Sequence, residues 1–312
     1  KKKLADEFFS RRQEVLQEIF ENDYNHISYY NYFNYHFNYF LYICRVIRVK
    51  KVVMKRFSLI FTLIAVAFTT VAQPQIAAHR GFHQKDGAVR NSIEAVRDAH
   101  KAGFEWVEID VTRSSDGVPM VIHGPWHPNR RDGIWVQNST KAEIQSFLLD
   151  NGEVVPTLDE MLQEVAKLKT IGVIIDIKPH NTSSAQDDVV KKIAKLVSKY
   201  RLQDQVLYMT SIEQSARLFK KLNRRTDNIL FTHGSYSPTW RKSLGYKYIG
   251  YSHTAWSKKP EYIADCARLG LKSVAWTPNN EADIRKMVDI GVNIIISDKP
   301  MLVREVINKF YK

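Results

Sequence analysis

From residue 75 onward, short runs of β-branched and other apolar residues alternate with stretches whose apolar residues recur at helical spacing. The eight strand candidates are residues 76–79, 106–111, 173–177, 206–209, 229–231, 248–251, 273–276 and 293–296, and the clearest helical patterns between them are residues 92–102, 184–199, 260–269 and 281–290. Buried strands separated by helices indicate a parallel sheet, and eight of them favour closure into a single-domain (β/α)8 TIM barrel. An open, doubly wound sheet is the alternative, although no glycine-rich phosphate loop follows the first strand candidate.

A further apolar run follows the second strand candidate after an Asp-Gly pair at residues 116–117, which is typical of a two-residue hairpin turn. A hairpin returns antiparallel, so this run is predicted to form a small β-hairpin extension from the mouth of the barrel. With Ser115 opposite Val118, the register pairs His123 with Asp110. Directly opposed residues share one face of a sheet, so the turn is predicted to bring a histidine beside a carboxylate.

Two acids in the second strand candidate, Glu108 and Asp110, are two positions apart and therefore point to the same side, into the barrel. Asp176, near the end of the next parallel strand, is a third inward-facing acid. Bare carboxylates are costly to bury together, and a divalent cation would offset that cost. Oxygen ligands favour Mg²⁺ or Ca²⁺ over zinc. The alternative is an ion-pair ring in which Lys178 and Arg80 fill the barrel without a metal.

Several polar residues are predicted to meet at the end of the barrel where enzymes of this fold keep their active sites. They are His79, Arg80, Glu108, Asp110, His123, Asp176 and Lys178. Gly81, directly after the first two, allows a sharp turn or a close approach to a ligand. Two imidazoles in one site can serve as base and acid, while cationic side chains stabilise phosphate charge.

Short motifs follow one another in a fixed order from the first strand candidate to the last. They are His79-Arg80-Gly81, Asn91-Ser92, Glu108-Ile109-Asp110, Asp116-Gly117, His123, Pro156-Thr157-Leu158, Asp176-Ile177-Lys178, Trp276-Thr277 and the closing segment 291–300. As a set they resemble the glycerophosphodiester phosphodiesterase family, which belongs to the phosphatidylinositol-phospholipase-C-like TIM-barrel phosphodiesterases. The resemblance implies metal-dependent hydrolysis of glycerophosphodiesters to sn-glycerol 3-phosphate and an alcohol.

The resemblance also implies a role for each matching position. Ligands of one Ca²⁺ or Mg²⁺ would be Glu108, Asp110 and Asp176; proton-exchanging residues would be His79 and His123; phosphate-binding residues would be Arg80 and Lys178; and Trp276 would line the substrate pocket. In the mechanism usually inferred for this fold, a neighbouring substrate hydroxyl attacks phosphorus while one histidine removes its proton. The other histidine protonates the leaving alcohol, and water later opens the cyclic phosphate. Asn91 is expected to cap the following helix, with contact to the metal or substrate as the alternative.

The sequence departs from the family's usual pattern at three positions. Arg90 stands where an acid is usual, Gly124 follows His123 where an aspartate is usual, and the third metal position is Asp176 where glutamate is common. Similar motifs also occur in the sphingomyelinase D branch, so a phospholipase acting on lysophospholipids is an alternative. A non-catalytic phospholipid-binding barrel is a second alternative, although none of the expected acids or imidazoles is missing.

The formal net charge of +13 is compatible with anionic phosphate ligands or contact with a membrane surface, and equally with a role in solubility. No basic helix or aromatic-basic sheet indicates a nucleic-acid partner. Residues 54–73 combine a Lys-Arg start with an apolar run and small residues, and are predicted to be a cleaved signal peptide, or else an anchor. That predicts a secreted or periplasmic phosphodiesterase barrel at residues 75–312, with residues 1–53 as a non-native or disordered upstream extension.

Overall fold

The computed structural model describes residues 73–83, 88–232 and 234–311. Its strands are β1 (Gln75–Ala78), β2 (Trp106–Arg113), β3 (Pro119–Val121), β4 (Trp126–His127), β5 (Arg130–Trp135), β6 (Gly172–Ile177), β7 (Val206–Thr210), β8 (Asn228–Thr232), β9 (Tyr248–Ser252), β10 (Lys272–Trp276) and β11 (Ile294–Ser297). Its α-helices are α1 (Ile93–Lys101), α2 (Lys141–Gln145), α3 (Leu158–Val165), α4 (Ser183–Lys199), α5 (Glu213–Leu222), α6 (Pro238–Ser243), α7 (His253–Lys258), α8 (Glu261–Leu269), α9 (Glu281–Asp289) and α10 (Pro300–Phe310).

Eight of these strands run parallel and close into a barrel in the order β1, β2, β6, β7, β8, β9, β10 and β11, with β11 pairing back to β1. All eight predicted barrel strands are present, and the predicted (β/α)8 barrel is confirmed. The strand ends that carry His79, Lys178 and Asp298 therefore open at one face of the barrel, because the carboxyl ends of parallel strands meet at the same edge.

The two largest clusters of buried apolar residues form two layers. The larger layer lies between the sheet and the surrounding helices, and includes Val107, Ile109 and Ile175 from the outward faces of β2 and β6. A smaller cluster, with Ala77 and Ile174 among its members, lies inside the barrel. Side chains alternate along each strand, so the inward positions above this cluster carry the acids of β2 and β6. The interior of the barrel is therefore apolar at its centre and polar at the carboxyl ends of the strands, the end called the mouth here.

The predicted β-hairpin after the second barrel strand is present, but its predicted register is wrong by one residue. Strands β2 and β3 pair antiparallel with Val111 opposite Val121, which does not place His123 opposite Asp110. Ser114, not Ser115, faces Val118, since its backbone amide donates to the Val118 carbonyl (2.9 Å) and its hydroxyl accepts from the Val118 amide (2.9 Å). This side-chain bond favours a three-residue turn, and a one-residue slip reverses the faces of the returning strand.

Strands β4 and β5 form a separate two-stranded antiparallel sheet, which lies in the segment that connects β3 to β6. Within the described ranges, no helix combines the length and apolar character needed to cross a membrane. The predictions made for residues 1–53 and for the signal peptide, up to residue 72, lie outside those ranges.

Candidate active site

Three buried carboxylates meet at the mouth of the barrel. Glu108 and Asp110 come from β2 and Asp176 from β6, and the parallel register sets Asp110 directly beside Asp176. Their exposed fractions are 1%, 0% and 3%. One oxygen from each of the three side chains can be chosen so that all lie within 4.8 Å of one another. The structure therefore brings together the three acids that were predicted to share one site.

Two cations partly compensate these acids. Lys178 Nζ lies 2.5 Å from both Asp110 Oδ1 and Asp176 Oδ2, and Arg80 Nε lies 2.9 Å from Asp110 Oδ2. Burial would raise the pKa of Asp110, but Lys178 and Arg80 outweigh it and hold the pKa below its usual value. Burial would likewise lower the pKa of Lys178, yet Asp176 and Asp110 keep it raised. The ion-pair ring considered from the sequence is thus present.

The ring does not neutralise all three acids. Burial, reinforced by the charge of Asp110, raises the pKa of Glu108 well above its usual value. Burial also raises the pKa of Asp176 to about 6, in spite of the neighbouring Lys178. Within the described ranges, the buried Oδ1 atoms of Asp110 and Asp176 accept no hydrogen bond, although Lys178 approaches the former as an ion pair. Surplus negative charge and buried oxygens without hydrogen bonds fit a divalent cation of the oxygen-binding type.

The loop from β1 to α1 holds the acids of β2 through backbone and amide contacts. Arg80, with φ 59°, donates its backbone amide to Glu108 Oε2 (2.9 Å). Asn91, with φ 62°, donates Nδ2 to Asp110 Oδ2 (2.9 Å) and accepts the Asp110 amide at Oδ1 (3.0 Å). Ser92, not Asn91, is the N-cap of α1. The expected capping role of Asn91 is therefore wrong, because both ends of its side chain are engaged by Asp110.

His79 is held by an acid at the end of the last barrel strand. Its Nδ1 lies 2.8 Å from Asp298 Oδ1, and its Nε2 lies 3.8 Å from Glu108 Oε2. Asn279 fixes Asp298 by donating to Oδ2 (2.7 Å) and accepting its backbone amide (2.9 Å). Burial would raise the pKa of Asp298, but hydrogen bonds from His79 and His83 outweigh it and hold the pKa far below its usual value. An ionised Asp298 therefore fixes the tautomer with the proton on Nδ1 and leaves Nε2 facing the acids.

His123 reaches the mouth from the turn after β3 and is exposed. Its Nδ1 lies 2.8 Å from the Gly124 carbonyl, and Thr112 Oγ1 donates to the His123 carbonyl (3.3 Å). Desolvation by the surrounding mouth lowers the pKa of His123, while the charge of Asp110 opposes that shift. His123 is therefore within range of the charge of Asp110, but it follows β3 in a turn and does not pair with Asp110 through the predicted strand register.

The opposite side of the mouth is aromatic. Trp276, at the end of β10, packs edge-on against Phe231 of β8, with ring centroids 4.9 Å apart. Gly250 of β9 separates the two strands, and a Cβ there would lie 2.7 Å from Ile229 and 3.2 Å from Phe231 Cβ. The mouth therefore has a charged half that can bind a phosphate and a half-buried apolar half.

Comparison with known proteins agrees with this arrangement. The sequence matches the model of the glycerophosphoryl diester phosphodiesterase family over residues 79–302, which is more than half of the chain. The chain belongs to this family. It is 26% identical over 245 residues to a glycerophosphodiester phosphodiesterase of Caldanaerobacter subterraneus subsp. tengcongensis, a match that covers 75% of this chain and 98% of that protein.

Solved structures of similar proteins share the fold. A glycerophosphodiester phosphodiesterase from Parabacteroides distasonis is 27% identical with a TM-score of 0.72, and the match covers 77% of this chain and 99% of that one. An Oleispira antarctica phosphodiesterase, solved in complex with the product sn-glycerol-3-phosphate, is 22% identical with a TM-score of 0.67, covering 76% and 97%. Like these relatives, this glycerophosphoryl diester phosphodiesterase family member is an enzyme of the phosphodiesterase class. The comparisons do not favour the sphingomyelinase D-like or non-catalytic alternatives.

Asp298 and Asn279 are site residues of this family member that sequence reasoning did not select. Asp298 lies directly after β11 at the carboxyl end of a barrel strand, which is the same placement that drew attention to His79. That placement was a usable signal for Asp298. Asn279 lies in the loop after β10, and nothing in its local sequence indicates that its amide would clamp an acid from the next strand.

Proposed function

We propose that this chain is a metal-dependent glycerophosphodiester phosphodiesterase that releases sn-glycerol 3-phosphate and an alcohol by two-histidine acid–base catalysis. The observation that carries the proposal is the placement of His79, oriented by Asp298, beside the buried acids Glu108, Asp110 and Asp176. The Oleispira antarctica phosphodiesterase, which has the same fold, holds sn-glycerol-3-phosphate as its product. That complex supports the same product class for this chain.

The three acids would hold one Ca²⁺ or Mg²⁺, since they are buried oxygen donors with charge in excess of their two cations. When bound, such an ion supplies Lewis-acid stabilisation of phosphate charge. Arg80 and Lys178 lie on the same acids, with 20% and 16% of their side chains exposed. They would bind the phosphate oxygens that face the solvent side of the site.

In the reaction that we propose, His79 Nε2 removes the proton of a substrate hydroxyl next to the phosphate. The hydroxyl oxygen then bonds to phosphorus, and the bond from phosphorus to the leaving alcohol breaks. Asp298 suits His79 for this role because an ionised carboxylate stabilises the imidazolium that forms. His123, at the exposed mouth, would give a proton to the leaving alcohol. Water opens the cyclic phosphate with the proton transfers reversed.

The direct test is release of glycerol 3-phosphate from glycerophosphocholine and glycerophosphoethanolamine by the full chain. We expect turnover with Ca²⁺ or Mg²⁺, loss of turnover with a chelator, and a fall of at least about 10²-fold in His79→Ala. His100→Ala, in α1 and near Thr170, provides the matched histidine control. If neither cation supports turnover, the proposed substrate class is contradicted. If the chelator does not reduce turnover, the proposed metal dependence is contradicted.

We also propose that residues 54–73 direct export, which would place the enzyme in the periplasm or outside the cell. Mass spectrometry of the native protein tests this, because a cleaved signal peptide predicts an N-terminus close to residue 74. Peptides from residues 13–45 in that protein would contradict the interpretation of residues 1–53 as non-native. Lysophospholipid hydrolysis and contact with a membrane surface stay predictions.

A further inference from the structure

His123 is an exposed residue in a turn, and a buried threonine contacts that turn. The threonine is Thr112, near the end of β2, which is 1% exposed. Its Oγ1 donates to the Ile122 carbonyl (3.0 Å) and, over a longer distance, to the His123 carbonyl (3.3 Å). Gly124 lies against the same side chain, since a Cβ there would be 3.3 Å from Thr112 Oγ1. Three consecutive residues centred on His123 therefore contact one buried hydroxyl group.

The strand that carries this hydroxyl also carries two acids of the proposed metal site. Side chains alternate along β2, so Glu108, Asp110 and Thr112 share one face. Strand β2 is paired on both sides within the barrel, with β1 and with β6. The hydrogen bonds of Thr112 therefore fix the backbone of His123 relative to the acids, through a strand that is itself held by two neighbours.

The imidazole of His123 is oriented by the same turn. Its Nδ1 lies 2.8 Å from the Gly124 carbonyl, which can only accept a hydrogen bond. Nδ1 therefore carries a proton, and Nε2 is the atom left to give one to a leaving alcohol. The direction of Nε2 depends on the backbone conformation of residues 122–124, the segment that Thr112 contacts.

We propose that Thr112 is a positioning residue for proton transfer by His123, because its hydroxyl holds the turn from which Nε2 reaches the leaving alcohol. The inference rests on the proposed function, in which His123 is the acid. Thr112 acts through the backbone and not on the substrate. A displacement of about 1 Å in a catalytic group can cost about 10²-fold in rate. Loss of the hydroxyl should therefore slow the step that needs the acid.

A pair of substrates with different leaving groups isolates this step. Glycerophosphoethanolamine releases an alcohol that needs a proton, whereas the p-nitrophenyl diester of glycerol 3-phosphate releases nitrophenolate, a stable anion that leaves without one. Thr112→Val replaces the hydroxyl by a methyl group. On the ethanolamine diester we expect kcat to fall about tenfold with KM within about twofold of wild type. On the nitrophenyl diester we expect kcat to fall by less than about twofold. The ratio of the two rates does not depend on the folded fraction of the sample.

Two further variants test whether the hydroxyl itself is responsible. Thr112→Ser keeps it and should bring kcat on the ethanolamine diester to within about threefold of wild type. Thr226→Val is the matched control, because Thr226 is also buried and donates Oγ1 to a backbone carbonyl, that of Gln203 (3.1 Å). Thr226 precedes β8 and so lies at the opposite end of the barrel from the mouth. It should retain the wild-type ratio.

An equal loss on both diesters in Thr112→Val would overturn the inference, since Thr112 would then support only the fold. A loss in Thr112→Ser as large as that in Thr112→Val would also overturn it. His123→Ala separates these results from a failure of the proposed function. If His123→Ala slows only the ethanolamine diester and Thr112→Val does not, the inference alone is wrong. If His123→Ala slows both diesters equally, His123 is not the acid, and the proposed mechanism fails together with the inference.

Discussion

The Nδ1 atom of His79 lies 2.8 Å from Oδ1 of Asp298, and this contact joins the end of the first barrel strand to the residue after the last one. The two residues are 219 positions apart in sequence, and the pairing of β1 with β11 brings them together. Closure of the barrel therefore also completes the site. The proposed base is oriented only when the last strand has docked.

Replacement of Asp298 should lower activity through His79. We expect Asp298→Asn to reduce kcat by about 10²–10³-fold, because His79 would lose both its fixed tautomer and the stabilisation of its imidazolium. In the His79→Ala background the same replacement should cost little more, since residues that act as one unit are not additive. The measurement is a double-mutant cycle on glycerophosphodiester hydrolysis, with KM determined separately.

Asp159→Asn is the control for this cycle, because Asp159 pairs with Lys199 and Tyr200 away from the mouth. It should change kcat by less than about twofold. An Asp298→Asn penalty of equal size in the presence and the absence of His79 would show that the two residues act independently. A large fall in thermal stability in Asp298→Asn would assign the loss to folding instead.

Glu108→Gln should distinguish the effect of the acid cluster on stability from its role in binding the metal. Burial raises the pKa of Glu108, so removal of its charge should leave Tm unchanged or raise it slightly without a divalent cation. In wild type, saturating Ca²⁺ or Mg²⁺ should raise Tm by about 5 °C, because binding to the folded state alone stabilises it. The variant should lose that rise. Differential scanning calorimetry with and without chelator measures both effects.

Asp204→Asn is the control here, since Asp204 is an exposed acid that pairs with Arg225. It should keep the full cation-dependent rise in Tm. A wild-type Tm that responds to neither cation would mean that Lys178 and Arg80 compensate the charge of the three acids without a metal. A rise retained in Glu108→Gln would place the ion elsewhere.

Much of the fold and of the proposed site could be predicted from local sequence. Barrel strands such as β6 are mainly apolar, and inward placement of Glu108 and Asp110 follows from strand periodicity alone. His79 was located because it ends such a run. These features depend on neighbours within a few residues, which a single sequence displays directly.

The errors arose where long-range or side-chain contacts decide the conformation. The hairpin register depended on the Ser114 hydroxyl, which bonds the Val118 amide, and not on the Asp-Gly pair alone. Local sequence predicts Asn91 as a helix N-cap, because its actual partner Asp110 lies 19 residues away and gives no local signal. Asn279 contacts Asp298 across two loops of the mouth. None of these hydrogen bonds has a periodic signature, and those of Asn91 and Asn279 form only in the assembled barrel.

Gly81 should be intolerant of a side chain. Its φ is +87°, and a Cβ there would lie 2.6 Å from Ala95 Cβ in α1. Gly81→Ala is expected to destabilise the protein by roughly 2–4 kcal/mol, from the left-handed backbone and from displacement of α1.

Gly152→Ala provides the control, because Gly152 has φ +81° and a Cβ there would meet no heavy atom of the described residues within 4 Å. It should cost about 1 kcal/mol in urea unfolding. Equal losses in the two variants would show that contact with Ala95 is unimportant.

The contribution of Glu164 to the stability of the fold should depend on pH. Its carboxylate accepts hydrogen bonds from Arg97 (2.7 Å) and Lys167 (2.8 Å), which lower the pKa of Glu164 to about 2. A carboxyl group whose pKa is lower in the folded state contributes stability that is fully present above its unfolded pKa, about 4.3, and is lost as the pH falls toward 2. Both cations are about half exposed or more, so solvent screening limits the contribution to about 1 kcal/mol.

Glu164→Gln should therefore be about 1 kcal/mol less stable than wild type at pH 7, and the difference should close between about pH 4.5 and pH 2. Urea unfolding at about pH 7, 4.5 and 2.5 measures it. Glu305→Gln, at an exposed position of α10, is the control and should lie within about 0.5 kcal/mol of wild type at pH 7. Protonated glutamate and glutamine have nearly the same shape. A difference that stayed constant to the lowest pH would therefore arise from packing of the side chain and not from its charge.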